Sequence, residues 1–355
     1  MSALPPGIEP VRIATDRIET HVLRRGPDDG IPVVLVHGNV SSGRFFAELM
    51  ASLPAEWHIL APDLRGFGDS EVAPVNATRG VDDFADDLLA LFDALGLATA
   101  ERPVHLVGWS VGGGVIQRVA MKRPEGVASL LLEAPMAPFG FGGTKDAAGT
   151  QTTPDWAGTG GGTANPDFVA RLGQKDTGTE GDASPRNVMR AFYMKSPKLE
   201  PAIEDAYVEA MVKMSTAPAN YPGDVSPAAS WPAVAPGEVG VNNAISGKYC
   251  DLSGFSAIEP KPRVLWVRGA DDMIVSDTSM FDLGQLGKLG AVPGWPGEEI
   301  YPPQPMIAQT RAVLDAYANG GGKVDEEVLE ECGHSPHLEQ PERFRELLVA
   351  LVSAQ

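Results

Sequence analysis

The sequence predicts an α/β fold: a mostly parallel, doubly wound sheet with an inserted, mainly helical cap. Three observations carry this. Short continuous apolar runs such as Ile31 to Val36 and Val127 to Leu132 alternate with helical patterns, as strands buried on both faces do when helices cover them. The alternation stops near residue 136, gives way to a stretch rich in Gly, Pro, Ala and Thr up to about 262, and resumes at Arg263-Val-Leu-Trp-Val-Arg-Gly269. The run Val104 to Gly114, V-H-L-V-G-W-S-V-G-G-G, reads as a buried strand, a sharp turn and a helix with one serine at its tip. The chain is accordingly divided into a core of residues 1–136 and 263–355 and a cap or lid of residues 137–262.

In chain order, residues 11–25 alternate loosely and suggest a hairpin, and Gly26-Pro-Asp-Asp-Gly30 is a turn. The strand Ile31 to Val36 ends in His37-Gly38-Asn39-Val40. Ser41 is expected to cap a helix carrying Phe45, Phe46, Leu49, Met50 and Leu53 on one side. A short strand, Ile59 to Pro62, precedes Asp63-Leu-Arg-Gly-Phe-Gly-Asp-Ser70, and Val81 to Leu95 is an amphipathic helix with an acidic outer face. Within the cap, helical patterns cover Asp167 to Gln174, Pro185 to Met194 and Leu199 to Met214, and the glycine tract 158–162 suggests a mobile lid edge. After the resumed strand comes an irregular stretch from Phe281 to Gln304. A helix (Met306 to Ala318), a strand (Val324 to Leu329), a loop (Cys332 to His337) and a closing helix (Pro341 to Val352) follow. There is no internal repeat.

The 355 residues suffice for a sizeable core, and 43% of them are hydrophobic, an ordinary value for a globular protein. The formal net charge of −19 repels phosphate backbones and anionic lipid, which argues against nucleic acid and membrane surfaces as partners. Two cysteines, Cys250 and Cys332, make neither a disulfide framework nor a zinc site, so no metal is expected. The N-terminus lacks the pattern of a signal peptide and no apolar run is long enough to span a bilayer. A cytoplasmic protein is the expectation; the oligomeric state is not legible.

The chemistry centres on Ser110. A serine hydroxyl is a weak nucleophile until a base takes its proton, and the base needs a third group to orient it and stabilise its charged form. In folds with this strand–turn–helix serine, the order along the chain is Ser, then Asp or Glu, then His. Only His334 and His337 lie beyond an acid that follows Ser110; His334, beside Gly333, is the better placed base, and His337 is read as a loop residue that packs or bonds locally. For the acid, Gly269-Ala-Asp-Asp272 ends the strand after the cap. Asp272 is preferred, Asp271 is read as a solvated carboxylate, and Glu133, ending the strand before the cap, is the alternative acid. Backbone N–H groups of Val111 and Asn39 are the expected oxyanion donors, with His37 supporting the turn. Trp109, Val40, Met136 and Ile274 are taken as substrate-binding residues, and some cap aromatics should line the roof, among Phe139, Phe141, Trp156, Phe192, Tyr193, Tyr207, Tyr221 and Trp231.

His37-Gly-Asn, Asp63-x-x-Gly66-x-Gly68-x-Ser70, Gly108-x-Ser-x-Gly112, Gly269-x-x-Asp272 and Gly333-His334 together resemble the α/β-hydrolase superfamily in its esterase and lactonase branch. The resemblance covers about residues 11–135 and 263–355. It implies a triad of Ser110, Asp272 and His334, an oxyanion hole from Asn39 and Val111, and no cofactor. In some lactonases of the superfamily the acid follows the strand before the cap, which keeps Glu133 as the alternative. His-Gly-Asn is also similar to haloalkane dehalogenases, but those use an aspartate nucleophile, so dehalogenation and epoxide hydrolysis are set aside. The expected activity is cofactor-free serine hydrolysis of a small carboxylic ester or lactone with a hydrophobic moiety. C–C bond (diketone) hydrolysis or perhydrolysis by the same triad is the alternative, and a non-catalytic ligand-binding protein on a hydrolase fold is the third reading.

Overall fold

The computed structural model describes residues 3–196 and 198–354; Met1 and Ser2, which open the N-terminal stretch, lie outside them. The chain begins with an antiparallel hairpin, β1 (Glu9–Ala14) and β2 (Glu19–Arg25), as the alternation suggested. It continues through β3 (Ile31–Val36), α1 (Ala47–Ser52), β4 (Trp57–Pro62), α2 (Asp82–Leu95), β5 (Val104–Trp109), α3 (Val111–Lys122) and β6 (Val127–Glu133). Residues 137–262 then supply α4 (Pro166–Gly173), α5 (Pro185–Val188), α6 (Pro201–Met211), the two short strands β7 (Val225–Pro227) and β8 (Val234–Pro236), and α7 (Val241–Ala244). The remainder is β9 (Arg263–Gly269), α8 (Leu283–Lys288), α9 (Met306–Asn319), β10 (Val324–Leu329), α10 (Pro336–Glu339) and α11 (Pro341–Ser353).

Eight strands form one sheet in the order β1-β2-β4-β3-β5-β6-β9-β10. The pairs β1–β2 and β2–β4 are antiparallel, and from β4 to β10 every pair is parallel. Every residue of β4 and β5 is buried, so both faces of the sheet are covered there. Helices α2 and α3 pack together, as do α1 and α11. Strand β3 lies between β4 and β5, so chain direction across the sheet reverses beside it. Ligands of open parallel sheets bind in the crevice at the carboxyl ends of strands at such a reversal. The segments that follow β3, β5, β9 and β10 carry Asn39, Ser110, Asp272 and His334, and Glu133 is the last residue of β6.

The 137–262 segment shares one hydrophobic core with the rest of the chain: Phe168, Leu172, Met189, Tyr207 and Met211 join the same buried cluster as the strands. Tyr207 stacks on Phe45 at 4.5 Å, and its hydroxyl donates to Glu48 at 2.7 Å. The glycine tract, read from its composition as a mobile lid edge, is closely packed at two positions. A Cβ at Gly158 would lie 2.3 Å from the Tyr301 hydroxyl, and one at Gly160 would lie 2.4 Å from Asn243 Oδ1. Glycine is used there for close approach. Three other expectations shift. Ser42, not Ser41, caps the first helical turn, accepting from Arg44 N–H, while the Ser41 hydroxyl donates to Gly38 O. The helix expected over Pro185 to Met194 is a short α5 running into one turn of π-helix, Met189–Tyr193. The irregular stretch 281–304 contains α8. No described helix is long and apolar enough to cross a membrane.

Candidate active site

Ser110 sits between β5 and α3 with φ 56° and ψ −118°, a backbone that L residues rarely adopt. The flanking glycines show why the turn can be so tight. A Cβ at Gly108 would lie 2.5 Å from the Gly112 carbonyl oxygen, and one at Gly112 would lie 2.1 Å from the Val36 carbonyl oxygen. The strained turn is pinned on both sides, since Ser110 N–H donates to Glu133 O at 2.9 Å and Met136 N–H donates to Ser110 O at 3.0 Å. Val111 opens α3, where the first N–H groups of a helix have no partner within it and the dipole favours negative charge.

His334 and Asp272 converge from the segments after β10 and β9. His334 Nδ1 lies 2.8 Å from Asp272 Oδ2, and both side chains are buried. Asp272 Oδ1 accepts from Ile274 N–H at 2.7 Å and Val275 N–H at 3.0 Å, which fixes the carboxylate. With Nδ1 so engaged, Nε2 is the ring nitrogen left to act as a base. The His334 main chain is tied to the elbow as well, because Trp109 Nε1 donates to the His334 carbonyl oxygen at 2.8 Å. Ser110 and His334 line the same cavity. No hydrogen bond joins their side chains among the described residues; in an unliganded site that contact is often long and tightens with substrate.

The two remaining acids lie elsewhere. Glu133, the alternative acid, is fully buried but is directed to His337: Oε1 accepts from His337 N–H at 2.8 Å and lies 2.7 Å from His337 Nδ1. The structure thus pairs Glu133 with His337 and Asp272 with His334. His337 itself stands in the one-turn α10 and reaches across 204 positions of sequence, not locally as its loop context suggested. Asp271 points outward, 2.8 Å from Lys195 Nζ.

The turn after β3 is built by short bonds. His37 Nε2 accepts from Leu64 N–H at 2.9 Å, so the proton rides on Nδ1, which donates to Gly38 O at 2.8 Å. Burial lowers the His37 pKa and keeps the ring neutral for this task. A trans peptide places its N–H opposite its carbonyl. Holding Gly38 O on His37 and Ser41 therefore turns the Asn39 N–H away from them. A Cβ at Gly38 would lie 2.9 Å from Ser110 Cβ, which shows how closely this turn approaches the elbow.

Above Ser110 is a cavity of about 610 Å³. Trp109, Val40, Met136 and Ile274 are all on its wall, with Asn39 and Val111. Residues 137–262 contribute Phe141, Phe168, Phe192, Tyr193, Tyr221 and Ile245, and residues 280–286 contribute Met280, Phe281, Leu283 and Leu286. Among the residues that line it there is no Lys or Arg. The aromatics outside the wall are used for packing: Tyr207 stacks on Phe45, and Trp231 meets Tyr301 edge-on at 5.1 Å. Sequence reasoning missed the wall from 280–286 and Asn242, whose Oδ1 accepts from Asn39 Nδ2 at 3.1 Å. No local pattern marks either, because both arise from tertiary apposition.

A family model, the alpha/beta hydrolase family, matches residues 33–347 of the chain. Over 118 residues the chain is 40% identical to lipase LipV of Mycobacterium tuberculosis, covering 33% of this chain and 42% of that protein. It is 30% identical over 139 residues to carboxylesterase YbfK of Bacillus subtilis, covering 39% and 45%. It is 37% identical over 111 residues to a pimeloyl-[acyl-carrier protein] methyl ester esterase of Neisseria meningitidis, covering 31% and 39%. The matched region thus spans less than half the length of each of these curated relatives. Among solved structures, carboxylesterase CesB (YbfK) from Bacillus subtilis superposes with a TM-score of 0.60 at 18% identity, covering 99% of this chain and 94% of that one. An aryl esterase from Burkholderia cenocepacia, described as putative, gives 0.61 at 18% identity, covering 98% and 100%.

Proposed function

The chain belongs to the alpha/beta hydrolase family, and from that premise we propose that it is a cofactor-free serine hydrolase of carboxylic esters or lactones with a hydrophobic moiety. The observation that carries the reading is the 2.8 Å contact of His334 Nδ1 with Asp272 Oδ2, on the wall of the cavity that holds Ser110 at its strained turn. Ser110 Oγ attacks the carbonyl carbon as its proton passes to His334 Nε2, and Asp272 stabilises the resulting imidazolium. The N–H groups of Asn39 and Val111 receive the oxyanion, each such donor being worth about 10² to 10³ in rate. Collapse expels the alcohol, which takes the proton from His334, and water releases the acid by the same route. The mainly apolar wall, with Asp167 and Asp182 but no Lys or Arg among its lining residues, suits an uncharged ester over an anionic one. The names of the relatives, a lipase, a carboxylesterase and a methyl ester esterase, agree with this chemistry.

In this reading residues 137–262 act as a cap on a core of 1–136 and 263–355, supported by the side chains they lend to the roof. A cytoplasmic setting accords with two free buried thiols, Cys250 and Cys332. The test is hydrolysis of nitrophenyl esters of graded acyl length by wild type, Ser110→Ala and His334→Ala. Turnover by wild type and a loss of about 10³-fold or more in both variants is expected. Turnover retained in Ser110→Ala overturns the reading.

A further inference from the structure

The turn that bears on the oxyanion site is itself strained. Val40 has φ 47°, the left-handed region, which a β-branched residue rarely enters. Such a conformation persists only where its surroundings fix it. From within the turn, Ser41 Oγ donates to Gly38 O at 2.8 Å and Val40 N–H donates to Asn39 Oδ1 at 3.0 Å. From outside, the Tyr193 hydroxyl is shared between the carbonyls of Asn39 at 3.2 Å and Val40 at 3.1 Å, and Asn39 Nδ2 donates to Asn242 Oδ1. Both outside partners belong to residues 137–262. The three carbonyls held in this way, those of Gly38, Asn39 and Val40, belong to three consecutive peptides, the first of which contains the Asn39 N–H.

Tyr193 is well placed for such work. It is buried, at the end of the π-helical turn, and its ring stands edge-on to Trp109 at 5.6 Å and 6.5 Å from the ring of His334. The residues that follow it reach the other two loops of the site. Lys195 Nζ pairs with Asp271, next to Asp272. The N–H groups of Lys195 and Ser196 donate to Glu339 Oε2, while Glu339 Oε1 accepts from Gly333 N–H, next to His334.

We propose that Tyr193 is a positioning residue of the oxyanion site: its hydroxyl, with Asn242 as a second clamp, holds the 38–40 turn in register with Ser110, so the 137–262 segment sets the geometry of the hole. The inference rests on the serine-hydrolase reading above. It is distinct from a packing role, which the ring alone would fill. Tyr193→Phe keeps the ring and removes the hydroxyl.

The test compares Tyr193→Phe and Asn242→Ala with wild type on a nitrophenyl ester and on its thiono analogue, whose sulfur is a poorer acceptor of oxyanion-hole hydrogen bonds. Tyr193→Phe is expected to lower kcat on the oxygen ester about ten-fold, a fraction of what a lost donor costs, with KM changed by less than about two-fold. The oxygen-to-thiono rate ratio should fall by about the same factor, a signature that loss of packing would not produce. Asn242→Ala should move the ratio the same way, and the double variant should lose less than the product of the two single effects, since both act on one turn. If Tyr193→Phe does not fold, Asn242→Ala decides alone. Ratios unchanged from wild type in the folded variants overturn the proposal. Turnover retained in Ser110→Ala instead overturns the serine-hydrolase reading, so the two failures are distinguishable.

Discussion

Asp272 and Glu133 are both buried carboxylates at the ends of neighbouring strands, and each holds a histidine at hydrogen-bond distance. What separates them is which histidine shares the cavity with Ser110: His334 lines it, and His337 does not. Their variants should therefore part. Asp272→Asn keeps the shape but loses the charge that stabilises the imidazolium, and kcat is expected to fall about 10³- to 10⁴-fold with the fold intact. Glu133→Gln keeps an acceptor for His337 N–H but weakens a buried pair, and a stability loss of about 1–3 kcal/mol with kcat reduced less than about ten-fold is expected. Steady-state kinetics and thermal melts of the two variants check this; equal losses of kcat would make Glu133 the acid. Much at this scale is legible in the sequence. Ser110 can be read because its flanking glycines record the collision they avoid, and His334 because few histidines follow an acid beyond Ser110. Asp272 is preferred over Asp271 in the sequence; in the structure Asp272 meets His334 and Asp271 meets Lys195. Tyr193 stands in the sequence only as one of several roof aromatics, and Asn242 is invisible there, since its partner Asn39 lies 203 positions away.

At the scale of elements, the strands of the sheet are the most legible, because a short continuous apolar run bounded by turn residues must be buried on both faces, and a central parallel strand buries it so. The least legible is 281–304, where α8 forms inside a stretch dominated by Gly, Pro and acidic residues. Its N-cap explains how. Asp282 accepts from Gln285 N–H at 3.1 Å and from Gln304 N–H at 3.2 Å, so one carboxyl both starts the helix and ties down the far end of the loop. The same carboxyl is nearly inaccessible, and burial pushes its pKa up to about 6 from the ordinary 3.8. Because the folded pKa lies above the unfolded one, the folded state holds the extra proton between those values. That contribution to stability is fully present below about pH 4 and is lost as pH rises through about 6. Asp282→Asn removes the titration and keeps an acceptor. Relative to wild type its melting temperature is expected to improve as pH rises from 4 to 7, by the equivalent of up to about 3 kcal/mol. Parallel pH profiles for the two proteins would refute the assignment.

At the scale of the whole molecule, the segments after β3, β5, β9 and β10 bring Asn39, Ser110, Asp272 and His334 to the carboxyl end of the parallel strands, and residues 137–262 share one core with the rest of the chain. The break in alternation is the sequence's ground for taking 137–262 as a separate segment. It cannot show that Tyr193 and Asn242 hold the 38–40 turn, because those bonds exist only once both parts of the chain are folded together. The same arrangement places a chamber of about 610 Å³ over the serine, lined mainly by apolar side chains with Asp167 and Asp182 among them, in a protein whose net charge is −19. In the proposed mechanism substrate selection falls to the chamber wall, while the proposed triad and turn would supply chemistry common to many esters.

In the proposed mechanism the Ser110 oxygen is the atom that becomes covalently acylated. The most direct measurement of this is the site of attachment of a fluorophosphonate, found by intact mass and peptide mapping of wild type and Ser110→Ala. One phosphonyl group on the peptide containing Ser110, absent from the variant and much slowed in His334→Ala, is the expected result. Equal labelling of wild type and Ser110→Ala, or attachment at another residue, would contradict it.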